Sequence, residues 1–597
     1  MRNKIDHLQL NVVAQGKNLN SHRSSMPASV SFAPNFWDVI AFLLIISLFV
    51  LTAEGAHQMH APLASIQTAP ISLDPSYLPG YALRTVLRML AALVASLIFT
   101  FTYATLAAKN RQAEMILIPF LDILQSVPIL GFISFTVVFF MNLFPGNVMG
   151  AECAAIFAIF TSQAWNMAFS FYQSLRSIPN DLIEASQIFR LSVWQKFWRL
   201  DVPFAAPSLV WNMMMSMSGG WFFVVASEAI TVGNTTVTLP GIGSYVALAL
   251  TQKDLHAVGY AIIAMFLVIL IYDQLLFRPL VSWAQKFRFE HTASFEGSPP
   301  LISRIFMRTR LFYAIGEHMT ALGRKMLRLR FFPENYFANV NTRSINPTLR
   351  LRANKLWLIF IAVCTLLAFI KIAHYIHATL TLSDIEIAVF YGFLTFLRVA
   401  ILIFIASLIW VPIGVWIGMR PRVAAAVQPL AQFLAAFPAN LFFPVAVALI
   451  VYFKLAPDIW LSPLMILGTQ WYILFNVIAG ASALPGDLKE VAANFHIQGW
   501  QRWKTLILPA IFPYYLTGAI TASGGSWNAS IVAEWIHWGN TTLIARGLGS
   551  YIAEATIQGD YPRIVLGIAV MSMFVLIINR FFWRKLSKFA NQRLRLE

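Results

Sequence analysis

Apolar runs of roughly 18 to 27 residues, separated by short polar connectors, fill most of the chain. A helix that crosses a bilayer needs ~20 mostly apolar residues. Twelve segments meet that length, at about 36–53, 84–106, 118–142, 151–172, 204–229, 258–277, 356–375, 391–417, 429–453, 460–481, 510–534 and 564–583. The pattern predicts an all-α polytopic membrane protein of about twelve transmembrane helices. No small-residue cleavage signature follows the first run, so it reads as a retained helix behind a polar tail, residues 1–35.

Composition agrees: 58% of the 597 residues are hydrophobic and 12% charged, against roughly 45–50% and 25% in soluble domains. The formal charge of +17 is explained by position. With a cytoplasmic N-terminus, 35 of the 43 Lys and Arg fall in tails and cytoplasmic loops, and only Lys253, Lys454 and Arg546 in external ones. Basic loops stay on the cytoplasmic side, so both termini are expected there, in a cell inner (plasma) membrane. Residues 278–355 alone carry fourteen Lys or Arg and face anionic lipid headgroups, so no nucleic acid is implied. Arg84, Arg88, Lys371, Arg398 and Arg563 lie at span ends, where long side chains reach the interface. Cys153 and Cys364 have no metal-ligand spacing around them.

The chain is also two copies of one pattern. Trp165, Pro179, Asp181, Glu184, Trp194, Pro203 and Pro207 recur 306 residues later as Trp471, Pro485, Asp487, Glu490, Trp500, Pro509 and Pro513. Residues 219–245 and 525–551 match at 12 of 27 positions, Glu228 with Glu534 among them. Upstream the offset is 310, pairing Tyr81, Thr85, Arg88, Pro119 and Pro128 with Tyr391, Thr395, Arg398, Pro429 and Pro438. The second unit is thus four residues shorter near its second external loop. With six spans each, the units enter the membrane in the same direction and form parallel six-helix repeats around a pseudo-twofold axis along the membrane normal. The resulting plan is a tail, 1–35; unit one, 36–285; a basic cytoplasmic linker, 286–352; unit two, 353–585; and a tail, 586–597.

Between the fourth and fifth spans of each unit lies a cytoplasmic stretch of about 30 residues, from Pro179 to Pro203 and from Pro485 to Pro509. Each predicts a short helix, a turn and a second helix. Asp181 or Asp487 is placed to cap the first helix, with Glu184 or Glu490 as the third helical residue of a capping box. Pro203 and Pro509 suit the start of the next span. Apolar residues on these water-facing loops call for a partner to cover them. Here the sequence resembles the permease subunits of binding-protein-dependent ABC importers, whose cytoplasmic signature runs Glu-Ala-Ala, three residues, Gly, nine residues, Ile, one residue, Leu-Pro. Glu184-Ala185-Ser186 leads to Pro203, and Glu490-Val491-Ala492 leads to Pro509. Both units depart at the glycine, which is Arg190 in one and His496 in the other; glycine there supplies a positive-φ turn cheaply. The duplicated layout further resembles fused permeases of nitrate, sulfonate and related anions.

The resemblance implies two ABC ATPase subunits on the cytoplasmic side that carry ATP and magnesium, an extracytoplasmic solute-binding protein and, as cargo, a small anion. The chain is expected to hold no cofactor and no ATPase site, because it has no Gly-x-x-x-x-Gly-Lys-Ser/Thr. Ser218-Gly-Gly220 and Ser523-Gly-Gly525 lie inside apolar spans, where small residues serve helix packing. Polar and aromatic residues in the fourth and fifth spans are candidates for the solute path: Trp165, Asn166, Asn212, Ser216 and Trp221 in unit one, and Trp471, Thr521, Ser523, Trp527 and Asn528 in unit two. Helix packing competes as an explanation for the tryptophans. Glu228 and Glu534 read as interface carboxylates, and the Gly-Asn-Thr-Thr and Gly-x-Gly-Ser-Tyr stretches after them as a turn-rich external docking or gating loop. The alternative function is a twelve-helix secondary transporter driven by an ion gradient, which commonly uses mid-span charges; the candidates are few, Asp273 and Lys371.

Overall fold

The computed structural model describes residues 71–287 and 380–593 apart from positions 127–128, 233–234, 485 and 540, together with scattered helical positions between 357 and 379. The expected first span, the linker and most of the expected seventh span lie outside the described residues.

Unit one comprises α1 (Leu78–Lys109), α2 (Arg111–Ser126), α3 (Ile129–Leu143), α4 (Val148–Arg176), α5 (Asn180–Ile188) and α6 (Val193–Glu228). A hairpin of β1 (Ala229–Val232) and β2 (Thr235–Thr238) follows, then α7 (Ile242–Gln252) and α8 (Leu255–Ala284). Unit two repeats the order as α9 (Leu382–Gly418), α10 (Pro421–Ala436), α11 (Ala439–Tyr452), α12 (Pro457–Leu467), α13 (Gln470–Ser482), α14 (Gly486–Asn494) and α15 (Gly499–Ala533). It closes with β3 (Trp535–Trp538), β4 (Thr541–Ile544), α16 (Leu548–Gln558) and α17 (Tyr561–Ala590).

Among the described residues seven helices are long and apolar enough to cross a membrane, or eight if α12 and α13, bent by 42°, form one span. Two expected spans are divided. Segment 118–142 becomes α2, ending at Ser126, and α3, starting at Ile129; 429–453 becomes α10, ending at Ala436, and α11, starting at Ala439; in the sequence the repeated Pro128 and Pro438 precede the second helix of each pair. A proline has no N–H for the helical ladder and its ring clashes with the preceding turn, so an apolar run of span length is split into two short helices.

The fifth span departs from expectation in the other direction. Helix α6 runs unbroken for 36 residues, about 54 Å at 1.5 Å per residue, and α15 for 35. Pro203 and Pro509 therefore do not start a helix. Each follows a π turn, Phe197–Asp201 and Trp503–Ile507, whose wider ladder relieves the clash of the proline ring. Helices α8 and α17 carry matching π turns at Asp273–Phe277 and Asn579–Trp583.

The two hairpins are the only strands among the described residues, and the sequence reading had them as loops. Val232 pairs with Thr235 and Trp538 with Thr541, and the two residues between each pair in the sequence are Gly-Asn. Gly539 supplies the positive φ, 56°, that two-residue hairpin turns require.

Two large apolar clusters form the core, one per unit, and they interlock. Phe437 and Leu441 of unit two pack into the first, while Ile129, Ala158 and Phe223 of unit one pack into the second. Polar bonds also cross the seam. The Ile129 N–H donates to Asn528 Oδ1 at 2.7 Å, and Asn440 Nδ2 donates to the Phe222 carbonyl at 3.1 Å. Residues 222 and 528 are repeat-related, and Ile129 corresponds to Ala439, the neighbour of Asn440, so the two bonds join nearly equivalent places on either side of the seam.

Candidate functional site

Two ends and a central cavity hold the candidate residues. At one end, α5 and α14 each stop in a turn that leads to the fifth span. Leu191 N–H bonds back to the Ser186 carbonyl and Ile497 N–H to that of Ala492, at 3.1 and 2.9 Å. This is the helix ending that requires a left-handed residue just past the helix. Arg190 and His496 occupy it, with φ of 48° and 50°, so the family's glycine turn is kept without the glycine. Ser192 and Gln195 then form a true capping box at the start of α6.

The expected caps are corrected here. Asp181 and Asp487 lie inside the first turn, and the residue at the N-cap of α5 is Pro179. Glu184 and Glu490 are therefore past the capping-box position, and both are exposed. No described ion pair engages either one. Ser186 and Ala492 face inward and are buried, Ala185 is half-buried, and Val491 is exposed. Beside the glutamates, Ile188, Phe189, Phe495 and Trp500 are each 74–79% exposed. They stand among exposed Asp181, Arg190 and Asp487, unlike the lipid-facing apolar residues along α1 and α9. Each unit thus presents a carboxylate next to a bare apolar knob.

Near the seam lies a cavity of about 270 Å³. Of the ten path candidates, Trp165, Asn166, Thr521, Ser523, Trp527 and Asn528 line it. Gln125, Thr161, Ser162 and Asn579, which the sequence reading did not single out, line it as well. No Asp, Glu, Lys or Arg is among the lining residues. The Trp165 indole N–H has no hydrogen-bond partner among the described residues.

The other four candidates sit elsewhere. Asn212 donates to Ser170 Oγ and the Ser208 carbonyl, joining α6 to α4. Ser216 is buried in α6. Trp221 is fully buried against Tyr272, and Trp471 packs on Trp410. Helix packing accounts for these. Of the small-residue stretches, Gly220 abuts Gln163 and Met89, whereas Gly219 and Gly524 have open space around them and line the cavity.

At the end opposite α5 and α14, each unit buries a charge cluster. Arg88 is fully buried and does not reach an interface: it pairs with Glu152 through Nε (2.5 Å) and Nη2 (2.7 Å), and with Glu228 through Nη1 (2.7 Å). Glu228 also accepts from Thr85 Oγ1 and the Gly243 N–H. In unit two, Glu534 accepts from Thr395, Arg398 and the Ser550 N–H at 3.0–3.2 Å. The Gly-x-Gly motifs now have a reason, since a Cβ on Gly241 or Gly547 would overlap the glutamate carboxylate. Each carboxylate therefore fastens the start of α7 or α16, and with it the hairpin, to the first described helix of its unit. A carboxylate suits a helix N-terminus, where free N–H groups converge.

The family profile described as binding-protein-dependent transport system inner membrane component matches residues 96–278 and again 410–588, together more than half of the chain. The chain belongs to this family. The permease domain is present twice, and each match includes one helix-turn element and one side of the cavity. Similar proteins include the bicarbonate transport system permease protein CmpB of Synechococcus elongatus, 29% identical over 177 residues, which are 30% of this chain and 60% of that protein. The nitrate import permease protein NrtB of Leptolyngbya laminosa is 26% identical over 182 residues, 30% of this chain and 62% of the relative. The glycine betaine transport system permease protein OpuAB of Bacillus subtilis is 24% identical over 193 residues, 32% and 63%. This duplicated permease is a multi-pass membrane protein whose alignments span about three fifths of these relatives.

Proposed function

We propose that the chain is the transmembrane subunit of an ATP-driven importer, in which two ABC ATPase protomers dock from the cytoplasm on α5 and α14, and an extracytoplasmic binding protein delivers a small anion. The observation that carries this reading is the pair of helix-turn elements 306 residues apart, each offering an exposed carboxylate beside bare apolar residues. The family match supports the importer class. Bicarbonate and nitrate in the names of two relatives, together with a cavity of neutral donors, support a small anion. Glu184, Ala185, Ser186, Arg190 and Pro203 form one coupling element, and Glu490, Val491, Ala492, His496 and Pro509 the other. ATP and magnesium belong to the partner subunits.

The test uses the repeat as its own control. Losing one partner of a buried hydrogen-bonded charge pair costs ~2–5 kcal/mol, and reversing it costs at least as much. Glu184→Lys and Glu490→Lys should each weaken co-purification of the ATPase and stop uptake while the permease stays inserted, and the double variant should release the ATPase. Retention of ATPase and uptake in both single variants would refute the coupling assignment.

A further inference from the structure

The cavity has a repeat-related twin, and the two have diverged in opposite directions. Subtracting 306 from Thr521, Ser523 and Trp527 gives Met215, Met217 and Trp221. Those three line a separate cavity of only about 60 Å³, together with Phe433 and Phe475. Gln125, on the wall of the larger cavity, corresponds at offset 310 to Ala435 on the wall of the smaller one. Polar groups thus surround the roomy member of the pair, and methionine and phenylalanine fill the other. The larger cavity has room for a hydrated solute; the smaller one, although Ser218 and the partly exposed Asp273–Arg278 pair lie in its wall, has room for little more than water.

The charges diverge in the same sense. In the filled cavity Asp273 pairs with Arg278 at 3.3 Å, five residues further along α8. The related positions on α17 are Asn579 and Arg584. Unit two loses the carboxylate, so the wall of the open cavity carries the neutral Asn579 where its twin carries Asp273.

We propose that this permease carries its solute through one site, built from α2 and α4 of unit one with α15 and α17 of unit two, and that the twin site formed by α6, α8, α10 and α13 is closed. The solute is a small anion held by Gln125, Ser523, Asn528 and the Trp165 indole N–H as neutral hydrogen-bond donors, with Thr521, whose hydroxyl donates to the Thr517 carbonyl, in the wall and Asn579 in place of a repelling carboxylate. The inference deepens the importer reading and rests on it for the direction and the energy source of transport.

Two experiments test it separately from that reading. In full-length chain with Cys153→Ser and Cys364→Ser, expressed with its partner subunits, single cysteines are placed at Thr521, Ser523, Met215 and Met217. The probe is a small sulfonated methanethiosulfonate applied to inverted and right-side-out membrane vesicles. The cysteines at 521 and 523 should react about tenfold faster or more than those at 215 and 217, because the larger cavity has room for the reagent whereas methionine and phenylalanine crowd the smaller one. Equal rates at related positions overturn the asymmetry, whatever powers transport. The second experiment measures uptake of labelled nitrate and bicarbonate. Asn579→Asp should raise KM about fivefold or more, because it restores a carboxylate near the anion, whereas Asp273→Asn should leave KM unchanged. An Asn579→Asp variant with wild-type KM overturns the assignment of the site. Asymmetric reaction of the cysteine variants, with no uptake of either anion by the wild-type protein, leaves the single open site standing and overturns nitrate and bicarbonate as its cargo.

Discussion

Loss of the arginine at the buried charge clusters should cost unit one much more than unit two. Replacing Arg88 by leucine removes four donated hydrogen bonds, three to Glu152 and Glu228 and one to the Pro240 carbonyl. It leaves two carboxylates whose side chains are 3% and 0% exposed. Breaking a buried pair in this way costs ~3–5 kcal/mol. The equivalent Arg398 is 15% exposed, its bonds are longer at 3.1 and 3.3 Å, and Asp458 is 52% exposed and able to take up water. Arg398→Leu should then cost only ~1.5–3 kcal/mol, the worth of hydrogen bonds to a charged group. Hydrogen exchange reads this locally, because the Leu239 and Ala545 N–H groups bond to the carbonyls of Glu228 and Glu534. At about tenfold per 1.4 kcal/mol, Arg88→Leu should accelerate exchange at Leu239 by about a hundredfold or more, and Arg398→Leu at Ala545 by about tenfold to a hundredfold. Adding Glu228→Gln to Arg88→Leu should recover part of the loss, since one bare charge is removed. Equal acceleration in the two units, or no rescue, would refute the argument from burial.

Three further outcomes are expected. Arg190→Gly and His496→Gly should preserve ATPase binding and slow exchange at Leu191 and Ile497, because a side chain in the left-handed region costs ~1–2 kcal/mol that glycine avoids; weaker ATPase binding would give these side chains a contact of their own. Purified without partners, the chain should neither bind nor hydrolyse ATP, measured by nucleotide binding and phosphate release with contaminating ATPases excluded. Cysteines at Gln187 and Thr541 should react with an impermeant reagent from opposite sides of the membrane, the first from the cytoplasm; the same sidedness for both would overturn the topology.

Much of this architecture was legible because lipid imposes a simple rule, that apolar length means a span. The misread positions are those where a local backbone effect outweighed the apolar pattern. Pro128 and Pro438 divide spans that hydropathy runs together, while Pro203 and Pro509 leave the helix intact because a π turn absorbs them. The hairpins had a readable signal in Gly-Asn between β-prone residues, overlooked because nearby glycines made the stretch look like a loop. Arg88 was assigned to an interface by its place in an apolar run. Its partners lie 64 and 140 residues away, and no local pattern reports a contact at that separation. The recurrence of Thr85, Arg88 and Glu228 in both units was the available clue, since three polar residues retained together in apolar surroundings need one another.

Matches between the units established the duplication, but the mismatches carry the chemistry. The Arg88 pair with Glu152 spans 64 residues and the Arg398 pair with Asp458 spans 60, so the four missing residues lie between Arg398 and Asp458. The same geometry identifies Asp458 as the counterpart of Glu152, a relation hidden from identity counting because both the offset and the residue type change. The shortened unit also has the shorter, more solvated carboxylate and the bent α12–α13 pair in place of straight α4. A single polypeptide that repeats one fold is free to diverge in this way, because each position is encoded separately, whereas two identical chains must change both sides of the axis together. Thr521 opposite Met215, and Asn579 opposite Asp273, are changes that a symmetric dimer cannot make on one side alone. Fusion therefore permits one roomy polar site near the seam while its twin is narrowed by methionine and phenylalanine.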